Sequence, residues 1–167
     1  MTDQLYQNLE KIDSSRKNIM DIVFDKNIKE YETESREDTF LLAKQMAECS
    51  VPGQVICLNG DLGVGKTVFA QGFGAGLGIT EPMASPTFTI LREYHEGRLP
   101  LYHFDVYRVS DIDEMEETGF FDFINGDGVT LIEWAELIED VIPRDAVQIR
   151  IEKDTEKGFD YRRITVG

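Results

Sequence analysis

The segment GDLGVGKT, residues 60–67, fits the spacing G-x-x-x-x-G-K-[ST] that is typical of a phosphate-binding loop. It lies between an apolar run that predicts a buried strand, residues 54–59, and a helical pattern over residues 66–77. Glycines let the backbone N–H groups of such a loop turn toward phosphate, and the following helix N-terminus attracts anions. Lys66 is expected to reach the β and γ phosphates, and the Thr67 hydroxyl to bind Mg²⁺. The predicted nucleotide-binding residues of the loop are Gly60, Asp61, Leu62, Gly63, Val64, Gly65, Lys66, Thr67 and Val68.

Two carboxylates follow apolar runs that predict buried strands: Glu133 ends VTLIE, and Asp105 ends LYHFD. In open α/β sheets the ligand lies beyond the carboxyl ends of the strands, so both acids could face a γ-phosphate. One would hold the metal shell and the other would orient the attacking water. Alternatively, Asp105 only forms an ion pair with Arg108. Lys66, Asp105 and Glu133 are therefore the candidate catalytic residues.

The loop Ser85-Pro86-Thr87-Phe88 carries two hydroxyls and is stiffened by proline. Loop hydroxyls that follow the first helix sense the γ-phosphate and metal in nucleotide switches, so Ser85 and Thr87 are candidate switch residues. An ordinary turn into a strand is the alternative. His103 is expected to be a packed, hydrogen-bonded residue, and Trp134 to be a core or partner anchor.

Two other nucleotide signatures do not fit the sequence. The glycines of GFGAGLG, residues 72–78, lack the third glycine of G-x-G-x-x-G and lie in a predicted helix, where close helix packing and a C-cap explain them. No N-K-x-D segment follows a late strand, so ATP is favoured over GTP.

Composition predicts a single cytoplasmic domain. The 167 residues contain no apolar run near the roughly 20 residues that span a bilayer, and the N-terminus is not a secretory signal. Cys49 and Cys57 are expected to be buried reduced thiols. The net charge of −15 is concentrated in residues 111–140, which hold eleven acids and no Lys or Arg. Such a surface repels nucleic acid, so any nucleic-acid substrate would be reached through a protein partner.

The pattern of elements predicts an α/β three-layer fold with a mostly parallel sheet and antiparallel edge strands. A helical extension is expected over residues 1–27, with a helix at 3–24, before a domain at 28–167. The first strand is predicted at 28–33, and a helix capped by Ser35 at 38–49, with Phe40, Leu41, Ala43, Met46 and Ala47 facing inward. Strands are predicted at 87–96, 98–109 and 129–134, with a helix or broken helix at 111–124. A hairpin of 146–154 with 159–166 is predicted to end the chain.

With these motifs placed, the sequence resembles the TsaE (YjeE) family of bacterial tRNA threonylcarbamoyladenosine formation. GDLGVGKT, SPTFTI, YHFDVYR and VTLIEW occur in the order and separation of that family, and the resemblance runs from about Thr39 to the C-terminal hairpin. The resemblance implies a P-loop ATPase fold and a Mg-ATP-dependent ATPase. It also implies the partner proteins TsaB and TsaD, the latter modifying adenosine 37 of tRNA, with the ATPase supporting repeated turnover.

Carried onto this chain, the resemblance makes Thr67 and Glu133 the residues that bind magnesium and Asp105 a residue needed for hydrolysis. Trp134 matches the family's tryptophan. The resemblance also places the stretch from Arg36 to Thr39 near the base. Val68 departs from the pattern, because the family usually has a second threonine there. Two other functions stay open: a small-molecule P-loop kinase, which usually needs an arginine-rich lid that this sequence does not suggest, and a non-catalytic module whose nucleotide only sets its shape.

Overall fold

The computed structural model of the protein describes residues 28–167. The predicted helix at 3–24, and with it the proposed extension at 1–27, lies outside this range. Among residues 28–167, no helix is long and apolar enough to cross a membrane. The elements are β1 Lys29–Thr33, α1 Arg36–Glu48, β2 Val55–Asn59, α2 Lys66–Leu77, β3 Leu91–Tyr94, β4 Leu101–Asp105, α3 Ile112–Glu117, α4 Phe120–Ile124, β5 Val129–Glu133, a 3-10 helix Ala135–Val141, β6 Val147–Lys153 and β7 Arg162–Val166.

The strands form one mixed sheet in the order β1-β7-β6-β2-β5-β4-β3. β6, β2, β5 and β4 are parallel, whereas β3 at one edge and β7 and β1 at the other pair antiparallel. One hydrophobic cluster lies under α1 and α2, and a second lies on the opposite face around α4 and the 3-10 helix. The structure therefore confirms the predicted α/β fold with a mostly parallel sheet and antiparallel edges.

The central strands β2 and β5 are buried along their whole length, which explains their continuous apolar sequences. Parallel pairing aligns their carboxyl ends with that of β4: Glu133 pairs with Asp105 on one side and with Leu58 on the other. The loop at 60–67 leaves β2 at the same edge. Strand order and register thus bring the two predicted carboxylates and the loop together.

The predicted Ser35 cap of helix α1 is confirmed, because the Ser35 side chain accepts a hydrogen bond from the Asp38 backbone N–H at 3.0 Å. The helix itself begins earlier than predicted, at Arg36. The predicted inward face is partly wrong. Leu42 is buried instead of Phe40 and Leu41, which are only half-buried. The helix packs closely against α2, since a Cβ added to Gly72 would lie 2.2 Å from the Phe40 carbonyl oxygen.

Two predicted strands are shorter in the structure. Residues 87–90 form a turn instead of the start of β3, because the Pro86 carbonyl accepts from both Thr89 N and Ile90 N. Ile90 has a positive φ of 65°, which ends any extended conformation there. β4 ends at Asp105 and is followed by a turn. The predicted broken helix is confirmed as α3 and α4, with Gly119 between them.

Candidate functional site

The loop at 60–67 has the backbone of an anion cradle. Gly60, Gly63 and Gly65 have φ values of 145°, 71° and 109°, which favour glycine. Gly65 is the N-cap of α2 and, among the described residues, no side chain caps that helix end. The N–H groups of the first turn therefore have no intrahelical acceptor and add their dipoles to a site for negative charge.

Lys66 holds a buried positive charge at the base of this loop. Its Nζ donates to the carbonyl oxygens of Gly60 at 2.6 Å and Asp61 at 2.9 Å. Burial lowers the pKa of the Lys66 ammonium, and the nearby carboxylates of Glu133 and Asp105 partly offset that effect. These two carbonyl oxygens hold the lysine ammonium at the loop, and a phosphate oxygen could replace either of them.

Asp105 is the acceptor for both predicted switch hydroxyls. Its Oδ2 accepts from Ser85 Oγ at 3.0 Å and from Thr87 Oγ1 at 2.7 Å, while its Oδ1 accepts from Tyr107 N at 3.0 Å. The alternative ion pair with Arg108 is not among the ion pairs of residues 28–167. The Arg108 guanidinium instead lies 4.4 Å from the centroid of the Phe88 ring. Asp105 is thus held in one orientation by the loop that precedes β3.

Glu133 is buried at the end of β5 and accepts a hydrogen bond from His103 on β4. Its Oε1 lies 2.9 Å from His103 Nε2, and the two side chains are 3% and 1% exposed. His103 and Asp105 are two residues apart on one strand, so they share the face of the sheet that α2 covers. The expected packed, hydrogen-bonded role of His103 is confirmed.

Trp134 belongs to the same site, although the sequence left its role open. Its φ of 62° is rare for a non-glycine residue and turns the chain sharply after Glu133. The indole lies under the Lys66 ammonium, with Nζ 3.9 Å from a ring centroid, and tilts against the Tyr107 ring at 4.7 Å. A backbone conformation that costs about 1–3 kcal/mol therefore coincides with the site.

A cavity of about 590 Å³ unites these groups. It has room for a ligand with several phosphates, as ordinary small-molecule sites run from roughly 300 to 1,000 Å³. The predicted residues that line it are Arg36, Leu62, Gly63, Gly65, Lys66, Thr67, Val68, Ser85, Thr87, Asp105, Glu133 and Trp134.

Four predicted residues do not line this cavity. Gly60 and Asp61 support the loop through the carbonyls that Lys66 contacts, and Val64 is buried beneath it. The Thr39 hydroxyl is buried and bonds with the Thr33 hydroxyl at 2.8 Å. The structure thus brings Arg36, but not Thr39, to the cavity.

Sequence reasoning missed five residues that line the cavity. Tyr107 and Arg108 follow Asp105, whereas Phe159, Asp160 and Arg162 come from the C-terminal hairpin. No local signal identifies the hairpin residues, because only the pairing of β6 with β2 brings them beside the loop. The absence of an arginine cluster in the sequence is also misleading, since Arg36, Arg108 and Arg162 converge here.

Arg162 connects the hairpin to the loop. Its Nε donates to the Val64 carbonyl at 2.5 Å, and its Nη1 donates to the carbonyls of Phe159 and Tyr161 at 2.9 and 2.7 Å. One planar guanidinium therefore fixes the loop backbone and the end of the hairpin turn against each other.

The oxygen atoms at the site fit a magnesium ion that is also bound by phosphate and water better than they fit a metal ion held by protein ligands alone. Within residues 28–167, no group of three or more His, Cys, Asp or Glu side chains could hold a metal ion. Magnesium typically uses one or two protein ligands together with phosphate oxygens and water. The Thr67 hydroxyl and the Glu133 carboxylate both line the cavity and supply such oxygen donors.

Comparisons with known proteins agree with this geometry. A family model described as "Threonylcarbamoyl adenosine biosynthesis protein TsaE" matches residues 33–164. The tRNA threonylcarbamoyladenosine biosynthesis protein TsaE of Bacillus subtilis (strain 168) is 49% identical over 135 residues, or 81% of this chain and 82% of the relative. The protein of the same name from Treponema pallidum (strain Nichols) is 40% identical over 117 residues, or 70% and 86%. The crystal structure of Bacillus subtilis YdiB has a TM-score of 0.70 and 44% identity, covering 84% of each chain.

Proposed function

The chain belongs to the TsaE family of tRNA threonylcarbamoyladenosine biosynthesis proteins, and from that membership we propose that it is a magnesium-dependent ATPase serving this modification. Its partners would be TsaB and TsaD, and hydrolysis would support repeated modification of position 37 of tRNA. One observation carries the proposal: Lys66 and Thr67 of the loop share a single cavity with Asp105 and Glu133 at the ends of two adjacent strands.

The residues have separate tasks in this proposal. The first-turn N–H groups of α2 and the Lys66 ammonium bind the phosphate chain, with Lys66 exchanging its carbonyl partners for phosphate oxygens. Thr67 and Glu133 would hold Mg²⁺, which neutralises charge on the phosphate oxygens when bound. Asp105, fixed by Ser85 and Thr87, orients the attacking water. Hydrolysis then depends on positioning and electrostatic stabilisation.

The cavity also has a side that suits the nucleoside. The carboxylates and Lys66 mark the γ-phosphate end, so the base would lie against other residues of the lining. Arg36, Phe159 and Asp160 are among those lining residues, and Phe159 is 87% exposed. An aromatic face, a guanidinium and a carboxylate acceptor are groups that can stack on a purine and accept from its amino group.

The surface supports a role that depends on protein partners. The acidic charge of −15 opposes direct binding of tRNA, so the substrate would be reached through TsaB and TsaD in the cytoplasm. Leu62 and Phe159 line the cavity, and Phe88 packs on Arg108, which also lines it; all three residues are more than three-quarters exposed. Apolar side chains exposed together are typical of a surface that a partner covers.

Glu133→Gln tests the ATPase proposal, because glutamine keeps an oxygen that can accept from His103 but removes the charge. We expect phosphate release to fall by about 100-fold or more, while ADP affinity, followed by Trp134 fluorescence, changes only a few-fold. Unchanged hydrolysis would remove Glu133 from the site. Product analysis separates the rival kinase function: free phosphate supports an ATPase, and a phosphorylated acceptor supports a kinase.

A further inference from the structure

His103 is a buried polar residue that the proposed ATPase mechanism does not use. It lies in the middle of β4, between Leu101 and Asp105 on the face of the sheet that α2 covers, and it pairs with Leu131 of β5. Leu101 and Leu131 are completely buried members of the hydrophobic core. An apolar side chain would therefore satisfy packing alone at this position, and burying an imidazole costs free energy unless it is hydrogen-bonded.

The hydrogen bonds of His103 are one-sided. Nε2 lies 2.9 Å from Glu133 Oε1, whereas Nδ1 is buried without a partner in the described chain. An ionised carboxylate only accepts hydrogen bonds, so Nε2 carries the hydrogen. The contacts therefore place a hydrogen on Nε2, which donates to Oε1 of Glu133.

We propose that His103 is a positioning residue for the Glu133 carboxylate. Its Nε2–H holds Oε1 at the buried side, so the carboxylate keeps one orientation toward the cavity that it shares with Thr67 and Lys66. This inference rests on the proposed function, in which Glu133 would hold Mg²⁺. A fixed carboxylate binds the ion without first losing side-chain freedom, as hydrogen-bond partners of metal ligands generally ensure.

Two substitutions separate positioning from packing. His103→Gln places an amide N–H near the position of Nε2 and keeps the donor, whereas His103→Leu fills the space without a donor. Leu101→Val, two residues earlier on the same face of β4, is the matched control because it disturbs the core without touching the hydrogen bond. Thermal unfolding of all three variants gives the loss of stability with which their losses of function are compared.

The test measures magnesium dependence in two ways. Trp134 fluorescence gives the affinity for ADP without metal and the Mg²⁺ concentration that produces half of the metal-dependent change; steady-state kinetics give kcat and KM for ATP. We expect His103→Leu to raise the half-effect Mg²⁺ concentration and lower kcat by about 10-fold each. Metal-free ADP affinity and KM should stay within about twofold, and His103→Gln should recover most of both losses.

Three results would overturn the inference. His103→Leu could match the wild type, His103→Gln could be as impaired as His103→Leu, or Leu101→Val could show the same losses in proportion to its thermal stability. The proposed function fails in a distinguishable way: a wild-type protein that neither binds nucleotide nor hydrolyses ATP refutes both proposals. A competent wild type with an unimpaired leucine variant refutes only the role of His103.

Discussion

The ammonium group of Lys66 lies 3.9 Å from a ring centroid of Trp134, the residue that directly follows Glu133. This cation–π contact and two backbone carbonyls hold the loop lysine in place. Trp134 can take part only because its backbone turns with a positive φ after β5. The indole therefore links the loop to the carboxylate strand, and as the single tryptophan it reports on both.

Burying the Lys66 charge should cost stability near neutral pH. Because burial lowers the Lys66 pKa below its ordinary value of 10.5, the unfolded chain binds more protons than the folded chain between the two values. The free energy of unfolding contributed by this group therefore rises with pH across that interval. Lys66→Met removes the titration. Its stability relative to the wild type should be greatest near about pH 7 and should decline toward about pH 10 in urea denaturation experiments.

A control is needed because the whole protein is strongly acidic. Lys153→Met removes a positive charge from an exposed position on β6 and should show no comparable dependence on pH. A constant stability difference between Lys66→Met and the wild type across this range would contradict the account of a destabilising buried ammonium.

The Thr87 hydroxyl should matter for turnover through Asp105. Thr87→Val keeps the shape of the side chain but removes the donor that lies 2.7 Å from Oδ2. A hydrogen bond to a charged group contributes roughly 1.5–3 kcal/mol, so we expect kcat to fall about 10-fold as Asp105 loses its fixed orientation. Thr87→Ser should retain most activity. Equal kcat for the valine and serine variants would show that the hydroxyl is not used.

Phe159 should contribute to nucleotide affinity without contributing to folding. Base stacking on an aromatic ring is worth roughly 1–3 kcal/mol, so Phe159→Ala should raise the Kd for ADP about fivefold or more. Its 87% exposure predicts an unchanged free energy of unfolding. Phe88→Ala makes the same chemical change at an 83% exposed position that does not line the cavity, and it should leave the Kd unaltered. Similar losses in both variants would place the base elsewhere.

Local sequence patterns predicted the fold well where the local structure depends on a few adjacent residues or on a single strand. The Ser35 cap of α1 and the Gly78 cap that ends α2 follow from short-range geometry. The apolar runs that end in Glu133 and Asp105 predicted a shared edge of the sheet, since central parallel strands are buried on both faces.

The features that the sequence did not predict depend on contacts between residues that lie far apart in the sequence. Arg162 approaches Val64 only after the hairpin joins the sheet, across almost a hundred positions in the sequence. Side chains alternate between the two faces of a strand, so His103 and Asp105 lie on the same face of β4. That alternation could have placed His103 near Glu133, but an apolar run in the sequence gives no sign of a hydrogen bond within it. Ile90 and Trp134 adopt positive φ angles that their residue types disfavour, and tertiary contacts impose these conformations.

The central claim is that ATP hydrolysis by this chain supports repeated turnover of tRNA modification. The direct measurement is threonylcarbamoylation of excess tRNA by a limiting TsaB–TsaD complex, with wild-type protein, with Glu133→Gln or without either. We predict many modified tRNAs per complex with the wild type, and a single round with Glu133→Gln or with neither protein. Many rounds in the absence of this chain, or equal turnover with Glu133→Gln, would contradict the claim.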